Sequence, residues 1–207
     1  MFESLSDDVR AVHDAERGGG QQPGRRHLSL RQTEAVERLV LAAAREVEER
    51  DYPEISVRSI AKRAGVAAAT AYTYFSSKDH LLAEVLWRRM QAAPHLIDLS
   101  QQLPERVANA VRSMGFGTVD SPAVVDACTT ALLGDGPDVK HVRARIGTEI
   151  AVRLQAALGP DGDPAVLRVL QITYTGAMLS AGMGHLRFAE LPDLMAEAAA
   201  LMSGGAK

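Results

Sequence analysis

The sequence has few cysteine and aromatic residues and no long apolar run, and each of these features argues against a class of protein. Its 207 residues include one cysteine, Cys128, so neither a disulfide within the chain nor a cysteine-based zinc site can form. Aromatic residues make up only 4%, whereas strand-rich proteins favour aromatic and β-branched side chains. No apolar run reaches the roughly 18 residues of a membrane span. The acidic N-terminus predicts no signal peptide, and we expect a cytoplasmic, nucleoid-associated protein.

Charge is distributed unevenly along the chain. The formal net charge of the whole sequence is −3. From Arg25 to Met90, twelve Lys or Arg residues face nine Asp or Glu residues, a net of +3, whereas the remainder has eleven against seventeen, a net of −6. A basic head on an acidic body is typical of a DNA-binding protein with a separate regulatory part.

Apolar residues recur at helical spacing along most of the chain, and no segment alternates as a strand does. We therefore predict an all-α protein with a flexible leader and basic arm at 1–28, a three-helix head at 29–76 and a helical body at 77–207. Helix starts are predicted near Ser29, Ser56, Ala67, Ser76 or Ser77, Pro104, Ser121, Asp138, Asp163 and Glu190 or Leu191. The helix that Pro164 opens is predicted to extend to Phe188.

The segment from Ser56 to Lys78 has the form of a helix-turn-helix motif. Two short helical segments are separated by a turn that contains Gly65. Ala61 is small enough for the second helix to cross closely, and Val66 would fill the space between the helices. The second segment would present short side chains and tyrosines to a major groove.

This segment resembles the TetR family of transcriptional regulators. The residues that carry the resemblance are Ser56-Val57, Ile60-Ala61, Ala64-Gly65-Val66, Thr70, Tyr72, Tyr74-Phe75, Ser77-Lys78 and Leu81. The resemblance implies a homodimeric, DNA-binding transcriptional regulator, by default a repressor, that leaves a palindromic double-stranded operator when a small molecule binds its body. A regulator that activates, or whose ligand promotes DNA binding, is the alternative. A degenerate head that binds another protein is a second class of interpretation.

The resemblance also implies a set of DNA contacts. Thr73 would read base edges, with Ala68 and Ala69 against thymine methyl groups. Phosphate or sugar contacts would come from Thr70, Tyr72, Tyr74, Lys78, Ser56 and Arg58. Arg31, with Arg25, Arg26 and His27, forms either a DNA-binding arm or a solvated linker. Ala67 stands where the family usually has a Ser or Thr helix cap, so specificity would rest more on methyl contacts and DNA shape.

A methionine-rich body predicts an adaptable apolar pocket, although plain core packing explains any one residue. The candidate pocket residues are Met114, Phe116, Cys128, Met178 and Met183. The predicted ligand is a small hydrophobic effector such as a fatty acid, an acyl-CoA or a sterol-like molecule, which would connect the regulator with lipid metabolism. Cys128 itself is interpreted as a buried apolar residue.

Small residues on the helix opened by Pro164 predict a close helix–helix contact. In the TetR family the last two long helices form a four-helix bundle across a two-fold axis, and the alternative is a packing seam within one chain. The candidate interface residues are Thr173, Gly176, Ala177, Ser180, Ala181, Gly184, Leu194 and Ala198.

No catalytic motif is present in the sequence. We find no phosphate-binding glycine loop, no Gly-x-Ser-x-Gly and no histidine spacing suited to a metal. We therefore predict that the chain is not an enzyme, has no cofactor and binds no metal.

Overall fold

A computed structural model describes residues 30–94, 97–114 and 122–204. The chain divides into two units, Met1–Thr33 and Glu34–Lys207, and only the last few residues of the first are described. The helices are α1 Leu30–Glu49, α2 Val57–Ala64, α3 Ala68–Tyr74, α4 Lys78–Ala92, α5 Leu103–Arg112, α6 Pro122–Leu132, α7 Pro137–Leu158, α8 Pro164–Gly182 and α9 Leu191–Gly204. Short 3-10 turns occupy Tyr52–Glu54 and Phe188–Glu190. The described residues include no strand, and the predicted all-α class is confirmed.

Local signals in the sequence fix both ends of α2. The Ser56 hydroxyl accepts a hydrogen bond from the Ser59 amide at 3.0 Å, and the Ser59 side chain accepts from the Ser56 amide at 3.0 Å. This reciprocal pair is a capping box. Gly65 ends the helix with φ +63°, and the Val66 amide donates to the Ala61 carbonyl at 3.0 Å, as in a Schellman motif. The chain therefore turns directly from α2 into α3.

The core of the second unit is continuous from the helix-turn-helix segment into the body. The buried side chains of α1, α2 and α3 belong to the same apolar cluster as those of α4 to α9. Within the body, α4 packs on α6 and α7, α5 packs on α7 and α9, and α8 packs on α6, α7 and α9. The functional division predicted at residue 76 remains a prediction.

A buried arginine joins three helices of the body. Arg153 on α7 is 1% exposed and pairs with Glu149 at 2.8 Å. Its guanidinium also donates to the main-chain carbonyls of Met90 at 2.7 Å and Ala93 at 3.2 Å, and to that of Ser113. Because these carbonyls lie at the C-terminal ends of α4 and α5, Arg153 caps both helices.

The predicted extension of α8 to Phe188 is wrong. The helix ends at Gly182, and Gly184 has φ +77°. The Gly184 amide donates to Ala181 at 3.0 Å and the His185 amide donates to Ser180 at 2.9 Å, which is again a Schellman arrangement. Gly184 thus terminates α8, and Met183 and Gly184 lie outside the helix.

None of the helices in the described residues is long and apolar enough to cross a membrane. The predicted helix start at Ser29, the arm residues Arg25, Arg26 and His27, and the pocket residue Phe116 lie outside the described residues.

Candidate DNA-binding surface, ligand cavity and subunit interface

Charged and apolar contacts hold the helix-turn-helix motif in place. Arg63 on α2 pairs with the buried carboxylate of Glu46 on α1 at 2.8 Å and also with Glu49. The hydrogen bond from Arg63 lowers the pKa of the Glu49 carboxyl. On α3, Ala71 is buried against the core, whereas most of the helix is not. One small face of α3, the second helix of the motif, therefore packs on the core, and the opposite face is exposed.

The outward face of α3 carries the residues predicted to contact DNA. Ala69, Thr70, Tyr72 and Thr73 are exposed, and Ala68 and Tyr74 are half-buried. Tyr72 is 48% exposed, which is high for so large a side chain. The Thr73 hydroxyl donates to the Ala69 carbonyl at 3.1 Å, so this hydroxyl keeps only its acceptor capacity for a base. Ala67 precedes the helix and makes no side-chain hydrogen bond to it, as the sequence predicts for an alanine in place of the usual Ser or Thr cap.

The remaining predicted DNA contacts differ in how available they are. Arg31 and Arg58 are exposed. The Ser56 hydroxyl is already the cap of α2. The Lys78 ammonium donates to the main-chain carbonyl of Tyr52 at 2.7 Å and lies 4.1 Å from the centre of the Tyr52 ring. If Lys78 binds a phosphate, it would therefore use the N–H donors of its ammonium group that do not bond to Tyr52.

Tyr52 is a residue that the sequence analysis missed. Its hydroxyl donates to Asp79 at 2.5 Å, and burial together with this hydrogen bond raises the pKa of Tyr52. Its ring and carbonyl hold Lys78, so one tyrosine fixes the start of α4 to the turn before α2. No motif or spacing around Tyr52-Pro53 indicates this role, because the contact spans 26 residues.

A second contact joins the head to the body. The Ser76 hydroxyl, in the turn after α3, donates to Asp138 on α7 at 2.6 Å. The ring of His80 lies 3.8 Å from the same carboxylate. Burial lowers the pKa of His80, against the opposing effect of Asp138. The end of α3 is therefore tied to the start of the longest body helix.

The body contains an apolar cavity of about 190 Å³ between α4, α6, α7 and α8. Its walls are Leu86, Thr129, Leu132, Leu133, Arg143, Ile146, Gly147, Ile150, Tyr174, Thr175, Met178 and Leu179. Of the predicted pocket residues that the structure describes, only Met178 is among them. The hydroxyl of Thr129 has no hydrogen-bond partner among the described residues.

The other described members of the predicted pocket lie elsewhere. Met114 is buried in the core, and Met183 is 64% exposed beyond the end of α8. Cys128 is buried one residue from Thr129, and its burial raises the pKa of the thiol to about 12. Such a thiol carries almost no thiolate at neutral pH, as expected for a buried apolar residue.

The small residues of α8 do not form one surface. Ala177 and Ala181 are buried within the chain, so they belong to an intrachain seam, which corrects their predicted place at the interface. Gly176 and Gly184 are exposed, and Thr173, Ser180, Leu194 and Ala198 are half-buried. The exposed apolar residues that the sequence analysis did not place at the interface are Val169, Ile172 and Met183 in the α8 region and Leu201 on α9. Helical spacing places 169, 172 and 176 on one face of α8, and Met183 follows the last residue of the helix.

Comparison with known proteins also identifies transcriptional regulators as relatives, over nearly the whole length of the chain. The family model described as "Bacterial regulatory proteins, tetR family" matches residues 39–85. An HTH-type transcriptional regulator of Mycobacterium bovis is 36% identical over 204 residues, covering 98% of this chain and 96% of the relative. A regulator of Mycobacterium tuberculosis strain H37Rv has the same identity and coverage.

Solved structures share the fold. A TetR transcriptional regulator from Rhodococcus sp. RHA1 has a TM-score of 0.67 at 23% identity, covering 86% of this chain and 100% of that one. The multidrug binding protein EbrR in complex with ethidium has a TM-score of 0.58 at 19% identity, covering 80% of this chain and 98% of that one. The relatives are transcriptional regulators, which confirms the prediction of a regulator rather than an enzyme.

Proposed function

Because the chain belongs to the TetR family of bacterial regulatory proteins and is a DNA-binding transcriptional regulator, we propose that it is a homodimeric repressor. Two heads read a palindromic operator, and a small apolar effector in the body releases them. The observation that carries the proposal is the outer face of α3, where Ala69, Thr70, Tyr72 and Thr73 are exposed on a helix whose opposite side is anchored by Ala71.

The proposed readout combines apolar and polar contacts. The methyl groups of Ala68 and Ala69 suit thymine methyls, whereas the Tyr72 hydroxyl can donate to a phosphate. Arg58, exposed near the N-terminus of α2, adds a positive charge beside main-chain amides, where an anion is favoured. These contacts bind the head mainly to the sugar-phosphate backbone of the DNA. Only a few side chains therefore remain to read bases.

The proposed dimer uses the outer face of α8 with α9. Ile172 is 65% exposed and Leu201 is 77% exposed, with Val169 close by in the helical register and Met183 after the last residue of α8. Exposed apolar residues on one face mark an interaction surface in a protein of this kind. A two-fold axis through this face would present two copies of α3 to one duplex.

The proposed effector site is the cavity, since it touches the helices that could transmit a change. Leu86 supplies one wall from α4, which begins directly after Ser77 at the end of the head and is capped by Arg153 at its other end. Ligand binding would shift α4 and, through Ser76 and Asp138, the end of α3. A ligand can do this only if it binds one arrangement of the heads better than the other.

The volume of the cavity favours a compact effector. About 190 Å³ is below the roughly 300 Å³ at which pockets for drug-sized ligands begin. A fatty acid, acyl-CoA or sterol-like effector would need the helices to separate further. The neighbour that binds ethidium, a planar polycyclic cation, supports a ligand site in the body of this fold.

DNA selection tests the proposal. The purified protein would be incubated with random duplexes, and enriched sites titrated at several salt concentrations. We expect a palindrome and a steep fall of affinity with salt. Arg58→Ala should reduce the slope of log affinity against log salt by about 1.8, because each of the two heads loses one phosphate contact, whereas Arg187→Ala, which removes an exposed arginine from the body, should leave it unchanged. If a folded protein enriches no sequence, operator binding is wrong and a head that binds another protein takes its place.

A further inference from the structure

We propose that the cavity selects a compact apolar ligand that carries one hydrogen-bond-accepting oxygen, a ketone or a carboxylate, and that Thr129 is the residue that selects it. This inference rests on the proposed role of the cavity as the effector site. Its basis is an unpartnered hydroxyl in a mostly apolar wall, together with a guanidinium at the edge of the same cavity.

Thr129 is the unusual group in the wall. The residue is 8% exposed, lines the cavity, and its Oγ1 has no hydrogen-bond partner among the described residues. A buried hydroxyl without a partner loses the hydrogen bonds that water gave it in the unfolded chain. A ligand that offers an acceptor would restore such a bond, so the wall favours that ligand over a hydrocarbon of the same shape.

Other helical threonines of the protein show that this arrangement is not a general feature. Thr175 lines the same cavity, yet its hydroxyl donates to the Gln171 carbonyl at 2.9 Å. Thr148 and Thr173 make the same bond to the carbonyl four residues earlier, at 3.1 and 2.9 Å. Thr129 makes none, so its hydroxyl keeps its donor for a ligand. Its Oγ1 has almost no accessible surface, and a ligand therefore reaches it only with a small shift of the cavity wall.

Arg143 gives the edge of the cavity a positive charge. Its Nη1 donates to the carbonyls of Leu132 at 2.7 Å and Gly134 at 3.4 Å, at the end of α6. No salt bridge of Arg143 occurs within the described part of the chain. Because both Thr129 and Arg143 donate hydrogen bonds, the matching group on the ligand is an acceptor, and a carboxylate would gain the charge of Arg143 as well.

The size of the cavity limits the rest of the ligand. An apolar protein cavity of about 150 Å³ holds benzene, and this one has about 190 Å³. One six-membered ring with a single carbonyl or carboxyl substituent therefore fits without separating the helices. Toluene, acetophenone and benzoate are probes of this size that differ in the acceptor.

The test measures binding of these three probes to the full chain by calorimetry, without DNA. Wild type should bind acetophenone or benzoate roughly fivefold to tenfold more tightly than toluene. Thr129→Val should bring acetophenone to the affinity of toluene, and Thr129→Ser should retain the preference for acetophenone. Thr175→Val is the matched control and should retain it too. Arg143→Gln separates the two acceptors, since it should weaken benzoate and not acetophenone.

Equal binding of toluene and both acceptor probes to wild type would overturn the inference, as would a preference for acetophenone over toluene that survives Thr129→Val. Binding of no probe by a protein that still binds its selected DNA would overturn both the inference and the proposed effector site, but not the DNA-binding role. Loss of DNA binding in a protein that discriminates the probes would contradict the proposed operator function and support the inference. Because valine has the shape of threonine and removes an unpartnered hydroxyl, Thr129→Val should melt no lower than wild type.

Discussion

The head and the body of this protein hold their functional groups in opposite ways. The head presents Tyr72 and its neighbours on the outside of a seven-residue helix, and anchors that helix by the single small residue Ala71. The body holds its candidate site between four helices, in a cavity whose rim is exposed at Leu133, Arg143 and Thr175. A surface that binds a large rigid partner needs only to be held in a fixed position. The shape of a cavity for a small molecule depends on the position of every helix around it.

The stabilising contacts differ in the same way. The head relies on local devices, such as the capping box at Ser56 and the turn at Gly65. The body relies on contacts between residues far apart in the chain, above all those of Arg153 with Met90 and Ser113. We therefore expect single substitutions to have larger and more widespread effects in the body, and the following predictions test that difference.

Arg153→Met should have the largest effect. It removes the guanidinium that pairs with Glu149 and caps α4 and α5, so the unfolding free energy should fall by about 3–5 kcal/mol. Chemical denaturation followed by circular dichroism measures it. Arg112→Met removes an exposed arginine that pairs with Glu105 at 3.4 Å, and should change stability by less than about 1 kcal/mol. Equal effects of the two variants would show that Arg153 does not hold the body together.

Ile172→Arg should weaken the dimer about 100-fold, which corresponds to about 2.7 kcal/mol. It places a charge at the centre of the proposed apolar face of α8. Leu41→Arg is the matched control, because Leu41 is 63% exposed and Ile172 65%, but Leu41 lies in the head. Sedimentation equilibrium of both variants gives the dissociation constants. A dimer that is weakened by Leu41→Arg instead would move the interface to the head.

Gly65→Ala should destabilise the protein by about 1–2 kcal/mol, because a side chain is unfavourable at φ +63°. A Cβ at Gly65 would come no closer than 3.9 Å to another atom, so the cost is conformational rather than steric. In the body, Gly147 lies within α7 with nothing within 4 Å of an added Cβ. Gly147→Ala should therefore stabilise, by up to about 1 kcal/mol. Thermal melting of both variants tests the contrast in sign.

The smallest effect concerns His80, at the junction of head and body. Burial lowers the pKa of His80 below the usual 6.5. Between the two pKa values the unfolded chain binds more protons than the folded one, so the free energy of unfolding should decrease as pH falls below about 6.5. His80→Gln should reduce this decrease, whereas His185→Gln, at an exposed position after α8, should not. Denaturation at pH 7.5 and pH 5.5 compares the three proteins, and a steeper decrease in His80→Gln would contradict the assignment.

The head could be predicted from the sequence more fully than the body, for a physical reason. Ser56, Gly65 and Ser77 act on amides and dihedral angles within a few residues, so a local pattern reports them. The helical nature of the body followed from periodicity in the same way. The position of the cavity did not, because its wall joins Leu86 to Met178 across four helices. Of the described residues that the methionine-rich composition predicted, Met178 alone lines the cavity.

The sequence also did not predict which face of α8 is exposed. Small residues predicted close packing, and Ala177 and Ala181 do pack closely, but inside the chain. The exposed face is marked by large apolar residues such as Ile172, which a search for small residues passes over. Periodicity identifies a face of a helix, but the neighbours that cover it depend on the tertiary structure.

The central claim is that two heads on one dimer read one palindrome. Its most direct test compares the affinity of wild type and Ile172→Arg for the selected full site and for a duplex that keeps only half of it. We expect wild type to bind the full site at least tenfold more tightly than the half site, and Ile172→Arg to lose most of that advantage while it still binds the half site. Equal affinity of wild type for both duplexes would contradict the account, because each head would then act alone.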